Sequence, residues 1–382
     1  MRNGKQGRNT NMKSKFFGAV IAACCAALAL AKEQVAPLRL EPKRASWFSR
    51  VKVCRNLAYG PRQLGAGAAH ADVAQTYDLY LPAPLGKIPK TAPFFLCIHG
   101  GAWMYGNKDG PLAFFEGFVK QGFVVASMNY ALCNKGRGGD HTFADMLADV
   151  DAMVSHLPQL AVALGIDIDR IVLGGSSAGG HLALLYAYDG AKPSALGLNL
   201  AHAVPVACVF SDCGPTDLSS PEFGVAGMGA TKSEFATWNG NFGALSGAGR
   251  DYGAFTNLVS HLARYSPVNL VCAESPPTIC LYGDIGTVPT SNTFARVPGG
   301  ERRPFAELWK MAGSAVPPPA AVGTDGIVAT QNYEALTNRL VQAGVPYAAR
   351  LEKAGHCQIL FRKPKTRPWL FENMKKFLAV DR

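Results

Sequence analysis

A serine between glycines follows a short apolar segment in the middle of the chain. Gly175-Ser176-Ser177-Ala178-Gly179 comes directly after the strand-like run 170–174 and opens a helical pattern. A strand, a sharp turn and a helix in this order lift a serine oxygen above a sheet, and glycine lets neighbouring backbone pass close by. The pattern predicts Ser177 as a nucleophile. Ser176 is the less favoured neighbour, because it is out of register with the motif.

A serine nucleophile needs a histidine as base and an acid that orients the histidine. His356 follows the strand-like run 347–351, where the histidine of the chain order Ser, acid, His is expected. Three aspartates follow strand-like runs or precede a helical pattern before His356, namely Asp212, Asp284 and Asp325. The residues alone leave the choice among these three acids open.

A glycine pair follows another strand-like run, residues 93–98. His99-Gly100-Gly101-Ala102-Trp103 places these glycines where backbone N–H groups can bind an oxyanion, and the N–H of Ala178 would complete such a site. We interpret His99 as a residue that fixes this loop rather than as the base, because the base is expected later in the chain.

Strand-like apolar runs alternate with amphipathic helical patterns along most of the chain. This alternation predicts an α/β fold with a mostly parallel central sheet covered by helices on both faces. The predicted strands are 77–81, 93–98, 123–129, 170–174, 205–210, 277–282 and 347–351, and the predicted helices are 111–121, 143–163, 178–188, 331–343 and 368–378. Two stretches, about 224–253 and 284–323, interrupt the rhythm, and we interpret them as loop insertions that shape a lid.

The first 31 residues have the composition of a secretory signal peptide. Basic residues precede the apolar run Phe16 to Ala31, and Ala29-Leu30-Ala31 is a small-residue cleavage pattern. The run is shorter than the roughly 20 residues that a membrane span needs, although an uncleaved anchor and lipidation at Cys24 stay open as alternatives. We expect an exported protein without stable membrane insertion after signal removal. Residues 32–72 would form an N-terminal extension and residues 73–382 the catalytic domain.

Composition excludes several classes of protein. The chain has 382 residues, of which 48% are hydrophobic and 17% charged, so it is neither disordered nor a small disulfide-stapled scaffold. We interpret the basic run at 362–367 as a solvated face and expect no nucleic-acid partner. Cys97, Cys208 and Cys280 lie in apolar runs, and neither a CxxC pair nor a His/Cys cluster with zinc spacing occurs. We therefore expect no metal site.

Several stretches together resemble the α/β-hydrolase superfamily, and within it the carboxylesterases similar to hormone-sensitive lipase and to feruloyl esterases. The resemblance runs in family order from about residue 73 to 380. It rests on Tyr77–Pro82, His99–Gly106, Asn129-Tyr130, Gly165–His181, Gly214–Leu218, Ser266-Pro267 and Gly355-His356.

The resemblance implies a serine esterase that needs no metal or organic cofactor and acts on a small-molecule or carbohydrate-linked ester. Ser177 would attack the ester carbonyl. The backbone N–H groups of Gly101, Ala102 and Ala178 would bind the oxyanion.

The sequence departs from the family pattern at the acid, because Gly286 stands where relatives carry it. The family's usual run from acid to histidine is matched instead by the run from Asp325 to His356, so we favour Asp325 over Asp284. Residues 284–323 would then be an insertion between strand end and acid.

Two other functions fit the same motifs. A peptidase or amidase is one, because related folds cleave amides, although no propeller-like repeat is present to restrict access. A hydrolase-like binding protein that has lost activity is the other. The departure at Gly286 favours it, and the presence of Ser177 and His356 counts against it.

Overall fold

The computed structural model describes residues 38–47, 49–64, 67–68, 71–137, 139–192, 195–220, 240–251, 255–289, 294–296, 302–311, 317–363 and 365–379. The predicted signal peptide and most of the predicted insertion at 224–253 lie outside the described residues. Residues 41–382 form one unit, which is described below.

A nine-stranded sheet lies at the centre of this unit. Its strands are β1 (Lys43–Arg44), β2 (Lys52–Ala58), β3 (Thr76–Leu81), β4 (Phe94–Ile98), β5 (Val124–Met128), β6 (Ile171–Ser176), β7 (Val206–Asp212), β8 (Thr278–Gly283) and β9 (Tyr347–Glu352). They lie side by side in the order β1-β2-β3-β5-β4-β6-β7-β8-β9. In this spatial order, the neighbouring strands β1, β2, β3 and β5 pair antiparallel, and the neighbouring strands β5, β4, β6, β7, β8 and β9 pair parallel. The carboxyl ends of the parallel strands therefore meet at one edge, where loops can form a site.

The described part of this unit also contains helices. They are α1 (Leu112–Lys120), α2 (Phe143–Leu164), α3 (Ala178–Ala191), α4 (Gly240–Ser246), α5 (Phe255–Arg264), α6 (Phe305–Met311), α7 (Gln331–Ala343), α8 (Ile359–Arg362) and α9 (Thr366–Ala379). Local sequence sets the bounds of α2. Thr142 and Asp145 form a capping box at its start, and Gly165 ends it with φ at 67°.

The two faces of the sheet carry different helices. On one face, Phe118 of α1 and Phe371 of α9 join Phe210 of β7 in one apolar cluster. On the other face lies α3, because a Cβ on Gly180 would contact Ser211, which alternates with Phe210 along β7. The predicted fold, a mostly parallel sheet with helices on both faces, is confirmed.

The sheet begins earlier than residue 73. Strand β2 pairs antiparallel with β3, with Val53 opposite Tyr80, so the described residues between 41 and 72 belong to the same unit as the rest. Strand β2 carries Lys52 and Arg55 and lies near the edge of the sheet. It therefore lacks the continuous apolar run by which the central strands are predicted.

The segment 284–323 contains regular structure. Residues Gly286–Pro289 pair antiparallel with Ala321–Thr324, and Phe294–Arg296 pair with Arg302–Pro304 ahead of α6. The prediction of a long loop was wrong here, because these strands are short and only half-buried where their burial is described. In the other interrupted stretch, α4 begins at Gly240. A lid role for either stretch stays a prediction.

Among the described residues, no helix combines the length and the apolar character that a bilayer crossing requires.

Candidate active site

Ser177 lies at the turn between β6 and α3. Its backbone has φ 54° and ψ −122°, a left-handed conformation that is strained for a residue with a side chain. The turn is held from both sides, since the N–H of Ser177 donates to the carbonyl of Asp212 at 2.7 Å and the N–H of His181 donates to the carbonyl of Ser177 at 3.0 Å. The side chain is half-buried at the carboxyl end of the parallel sheet.

The two glycines of the motif are required by close backbone contacts. A Cβ on Gly175 would lie 2.1 Å from the carbonyl oxygen of Ile98, and a Cβ on Gly179 would lie 2.0 Å from the same oxygen. Both distances are too short for non-bonded atoms. The end of β4 therefore packs directly against the turn that carries Ser177.

The loop after β4 lies beside the serine. A Cβ on Gly100 would be 3.3 Å from Cβ of Ser177, and Gly101 and Ala102 have φ of 123° and 52°. In the part of the chain that the structure describes, neither Ala102 nor Ala178 donates its backbone N–H to another residue. These two N–H groups, and the backbone N–H of Gly101, are thus available to donate to a bound oxygen.

A buried histidine ties this loop to helix α3. The indole N–H of Trp103 donates to Nδ1 of His181 at 3.2 Å, and Nε2 of His181 donates to the carbonyl of Tyr265 at 2.8 Å. Burial lowers the pKa of His181 to about 4, so the ring is neutral and can accept at one nitrogen and donate at the other. The sequence did not predict this link.

His99 contacts its own loop. Its Nδ1 donates to the carbonyl of Gly100 at 2.7 Å, and its ring stacks on Tyr130 with centroids 4.3 Å apart. Burial lowers the pKa of His99 to about 4. These contacts agree with the interpretation of His99 as a residue that fixes the loop.

Asp325 lies against His356. Oδ2 of Asp325 is 2.7 Å from Nδ1 of His356, and Oδ1 accepts the backbone N–H groups of Ile327 and Val328 at 2.9 and 2.7 Å. The N–H of His356 also donates to the carbonyl of Asp325 at 2.9 Å. Burial acts to lower the pKa of His356, but the carboxylate of Asp325 and the neighbouring Cys213 together raise it above its ordinary value.

The other two aspartates face elsewhere. Asp284 pairs with the ammonium of Lys353 and accepts the N–H of Gly286 at 2.9 Å, and the ion pair lowers its pKa. Asp212 is buried and accepts a hydrogen bond from Oγ of Ser176 at 3.1 Å, while burial raises its pKa to about 6. The structure thus places Asp325 beside His356 and Asp284 beside a lysine.

The two ends of the segment 284–323 lie close together. The N–H of Ile285 donates to the carbonyl of Thr324 at 2.9 Å, and a Cβ on Gly283 would be 2.9 Å from Cβ of Asp325. The two ends of the segment, 286–289 and 321–324, pair as an antiparallel ribbon. Asp325 therefore lies next to the end of β8 although this ribbon separates them in sequence.

The loop that carries His356 touches the serine turn. The carbonyl of Asp212 accepts both the N–H of Ser177, at 2.7 Å, and the thiol of Cys357, at 3.7 Å. Nε2 of His356 is buried and has no hydrogen-bond partner among the described residues. A ring nitrogen oriented by a carboxylate and free on its far side is suited to accept a proton from a nearby hydroxyl.

The sequence did not single out Cys213 or Cys357, which lie beside His356. The N–H of Cys357 donates to Sγ of Cys213 at 3.4 Å across 144 positions of the chain. No local spacing could have indicated this contact.

The fold and the site together define an α/β-hydrolase of the esterase-like type. The sequence profile of the BD-FAE family matches residues 77–293, more than half of the chain, and the chain belongs to this family.

Among curated proteins, a probable isoprenylcysteine alpha-carbonyl methylesterase from Oryza sativa subsp. japonica is 27% identical over 158 residues, which is 41% of this chain and 34% of that protein. A non-reducing polyketide synthase from Preussia isomera is 32% identical over 114 residues, 29% of this chain and 4% of that protein. The chain thus spans about a third or less of the length of these curated relatives.

Among solved structures, Esterase B from Lactobacillus rhamnosis has a TM-score of 0.56 and 20% identity, covering 97% of this chain and 95% of that one. A truncated carbohydrate esterase from gut microbiota has a TM-score of 0.57 and 17% identity, covering 88% and 99%. At these identities the likeness shows the shared fold.

Proposed function

We propose that the protein is a serine carboxylesterase that forms an acyl-enzyme on Ser177. The observation that carries this proposal is the pairing of His356 with Asp325 beside the strained turn of Ser177, with Nε2 of the histidine buried and unpartnered among the described residues. Membership of the BD-FAE family supports the reaction class.

The reaction proceeds in two acyl transfers. Nε2 of His356 accepts the hydroxyl proton as Oγ of Ser177 attacks the ester carbonyl, and Asp325 stabilises the imidazolium. The tetrahedral oxyanion accepts hydrogen bonds from the N–H groups of Ala178 and of Gly101 or Ala102. The imidazolium then protonates the leaving alcohol. Water, deprotonated by the same histidine, hydrolyses the acyl-enzyme and frees the serine.

A small, mostly apolar cavity lies beside Ser176, the residue before the nucleophile, and supports a compact substrate group. It has a volume of about 230 Å³ and is lined by Gly100 and Ser176 together with side chains that include Phe114 and Phe115. This is smaller than the roughly 300–1,000 Å³ of pockets that bury drug-sized ligands. We propose a short acyl group as its occupant, on a small-molecule or carbohydrate-linked alcohol. A carbohydrate esterase among the similar folds agrees with that class.

Hydrolysis of p-nitrophenyl acetate and butyrate by the purified chain tests the proposal. Ser177→Ala should reduce kcat on the order of 10⁶-fold, as in other serine triads. Ser260→Ala is the matched control, since it removes a serine hydroxyl that donates to the carbonyl of Asn257 within α5. A fluorophosphonate should label Ser177, identified by peptide mass spectrometry. Folded wild-type protein with neither turnover nor label would favour the inactive binding protein, and faster cleavage of peptide p-nitroanilides than of esters would favour an amidase.

We also propose that the enzyme is exported, on the basis of the signal-like residues 1–31. The amino-terminal sequence of protein recovered from an extracytoplasmic fraction should begin at Lys32. A lipidated start at Cys24 would instead indicate an anchored enzyme, and an intact Met1 would overturn export by cleavage.

A further inference from the structure

Two cysteines and the histidine of the site form a compact cluster. The Sγ atoms of Cys213 and Cys357 and a ring nitrogen of His356 all lie within 4.8 Å of one another. Cys213 directly follows β7, and Cys357 directly follows His356, so the cluster joins two loops at the carboxyl edge of the sheet. The N–H of Cys357 donates to Sγ of Cys213 at 3.4 Å and fixes the two thiols relative to each other.

The donor set is one that zinc prefers. Two thiolates and one imidazole match a three-ligand zinc site with an open fourth position. With Zn–S at about 2.3 Å and Zn–N at about 2.0–2.1 Å, tetrahedral ligand atoms lie roughly 3.5–3.8 Å apart. Contraction by about 1 Å, within reach of side-chain rotation, would convert the present spacing into that of a bound ion.

The histidine is already arranged as a metal ligand. Its Nδ1 is held by the Asp325 carboxylate at 2.7 Å, and its Nε2 is buried with no partner among the described residues. A carboxylate on the far nitrogen fixes the ring and raises the basicity of the coordinating nitrogen in many zinc sites. The neutral lone pair that a serine esterase needs is therefore also the lone pair that an ion would take.

A cavity and the buried carboxylate of Asp212 lie beside the cluster. Cys357 and Asp212 both line the cavity of about 230 Å³ beside Ser176, which gives a small ion a route to the Cys357 thiol. Asp212 is buried, its Oδ1 has no partner within the described chain, and it directly precedes Cys213 at the end of β7. It can accept a hydrogen bond from water in the fourth coordination position.

We propose that Cys213, His356 and Cys357 bind one Zn²⁺ ion, and that the bound ion inhibits the enzyme. Binding releases the two thiol protons, and the Nε2 proton of His356 where the ring is charged, to solvent and changes no oxidation state. Inhibition follows because Nε2 of His356, once bound to zinc, can no longer accept the proton of Ser177. The inhibition, though not the binding, rests on the proposed esterase function.

Binding is measured first, without any reference to activity. The full chain is reduced and desalted without oxygen, its free thiols are counted after denaturation, and Co²⁺ is added as a spectroscopic substitute for zinc. We expect a thiolate-to-cobalt charge-transfer band that saturates at one equivalent and is abolished by Zn²⁺. Cys213→Ser and Cys357→Ser should each weaken binding by more than about 100-fold, because loss of even an outer partner of a ligand costs 10–100-fold. Cys272→Ser, at a half-buried cysteine outside the cluster, is the matched control and should keep the band.

Inhibition is measured next, with each variant compared with its own metal-free rate. Zn²⁺ should inhibit wild type at one equivalent and be reversed by EDTA, whereas the Cys213→Ser variant should resist it. Ser177→Ala, although inactive, should still show the cobalt band, so failure of the esterase proposal and failure of the metal site are distinguishable. Absence of the band in reduced wild type, or equal zinc inhibition in wild type and both cluster variants, would overturn the proposal.

Discussion

The carboxylate of Asp325 lies 2.7 Å from Nδ1 of His356, whereas Asp284, the other candidate acid after β8, is paired with Lys353. Both aspartates follow the end of β8 in the chain, but only one of them faces the imidazole. The inserted ribbon therefore carries the acid back to the strand end from which the ribbon starts.

Substitution of the two acids should have unequal effects. Asp325→Asn should lower kcat by roughly 10⁴-fold, because an amide cannot hold the imidazole in the required tautomer or stabilise its charged form. Asp284→Asn removes only a half-exposed ion pair and should leave kcat nearly unchanged. The measurement is kcat with p-nitrophenyl butyrate, alongside the melting temperature of each variant. A larger loss in Asp284→Asn than in Asp325→Asn would contradict the assignment.

The pH profile of kcat/KM should reflect the raised pKa of His356. The histidine must be neutral to accept the serine proton, so activity rises with pH as the imidazolium loses its proton. Because the Asp325 and Cys213 contacts raise this pKa above its ordinary value despite burial, the acid limb should lie on the alkaline side of the ordinary histidine pKa. The residual activity of Asp325→Asn should have its acid limb at lower pH. Identical limbs in both proteins would show that another group controls the profile.

The central strands and the main helices could be predicted from the sequence because their signals are local. Strands β4 and β6 read as continuous apolar runs and lie buried in the sheet. Strand β2, next to the edge strand β1, carries the half-buried Lys52 and the exposed Arg55, so its pattern does not stand out from a polar extension. The ribbon at 286–289 and 321–324 consists of two short strands far apart in sequence, and their pairing has no local signature.

In the site, too, residues with local sequence signals could be predicted and contacts between distant parts of the chain could not. Ser177 and His356 could be proposed because each follows a predicted strand within a few residues. Asp325 could be favoured only through chain order, since a ribbon precedes it. The contact of Cys213 with Cys357 joins residues that are 144 positions apart and of types that usually fill cores, so only the folded chain reveals it.

Trp103→Phe should impair turnover more than binding. The substitution removes the N–H that donates to Nδ1 of His181 and leaves that buried nitrogen without a donor, which loosens the loop of Gly101 and Ala102. We expect kcat to fall on the order of 10–100-fold with little change in KM, since the loop acts on the transition state. Trp369→Phe is the control, because this ring packs against the apolar cluster of α1 and α9 and against Arg350. A rise in KM with unchanged kcat would contradict a role in positioning the oxyanion donors.

Gly175→Ala and Gly117→Ala should change stability in opposite directions. A Cβ at Gly175 would lie 2.1 Å from the Ile98 carbonyl, and backbone cannot move away cheaply, so we expect a loss of about 3 kcal/mol or more in the free energy of unfolding. A Cβ at Gly117 in α1 would make an ordinary contact of 3.5 Å with Phe371. Alanine there should stabilise the protein by about 0.5–1 kcal/mol, because alanine loses less conformational entropy than glycine when the unfolded chain forms a helix. Urea unfolding curves measure the free energy of unfolding of both variants. Equal changes in the two variants would show that the backbone at Ile98 can move away from residue 175.

Asn332→Ala should be strongly destabilising although the residue lies outside the catalytic set. Oδ1 of Asn332 accepts the backbone N–H groups of Thr216 and Asp217 at 2.7 and 2.9 Å, and its side chain is fully buried at the start of α7. Alanine would leave both donors without an acceptor in a site that water does not reach, so we expect a loss of about 3 kcal/mol in the free energy of unfolding. Thr337→Ala is a suitable comparison, because among the described residues that hydroxyl donates to the carbonyls of Tyr333 and Glu334 in the same helix. If urea unfolding shows the two variants to be equally stable, the loop at 214–218 is held by its packing rather than by this amide.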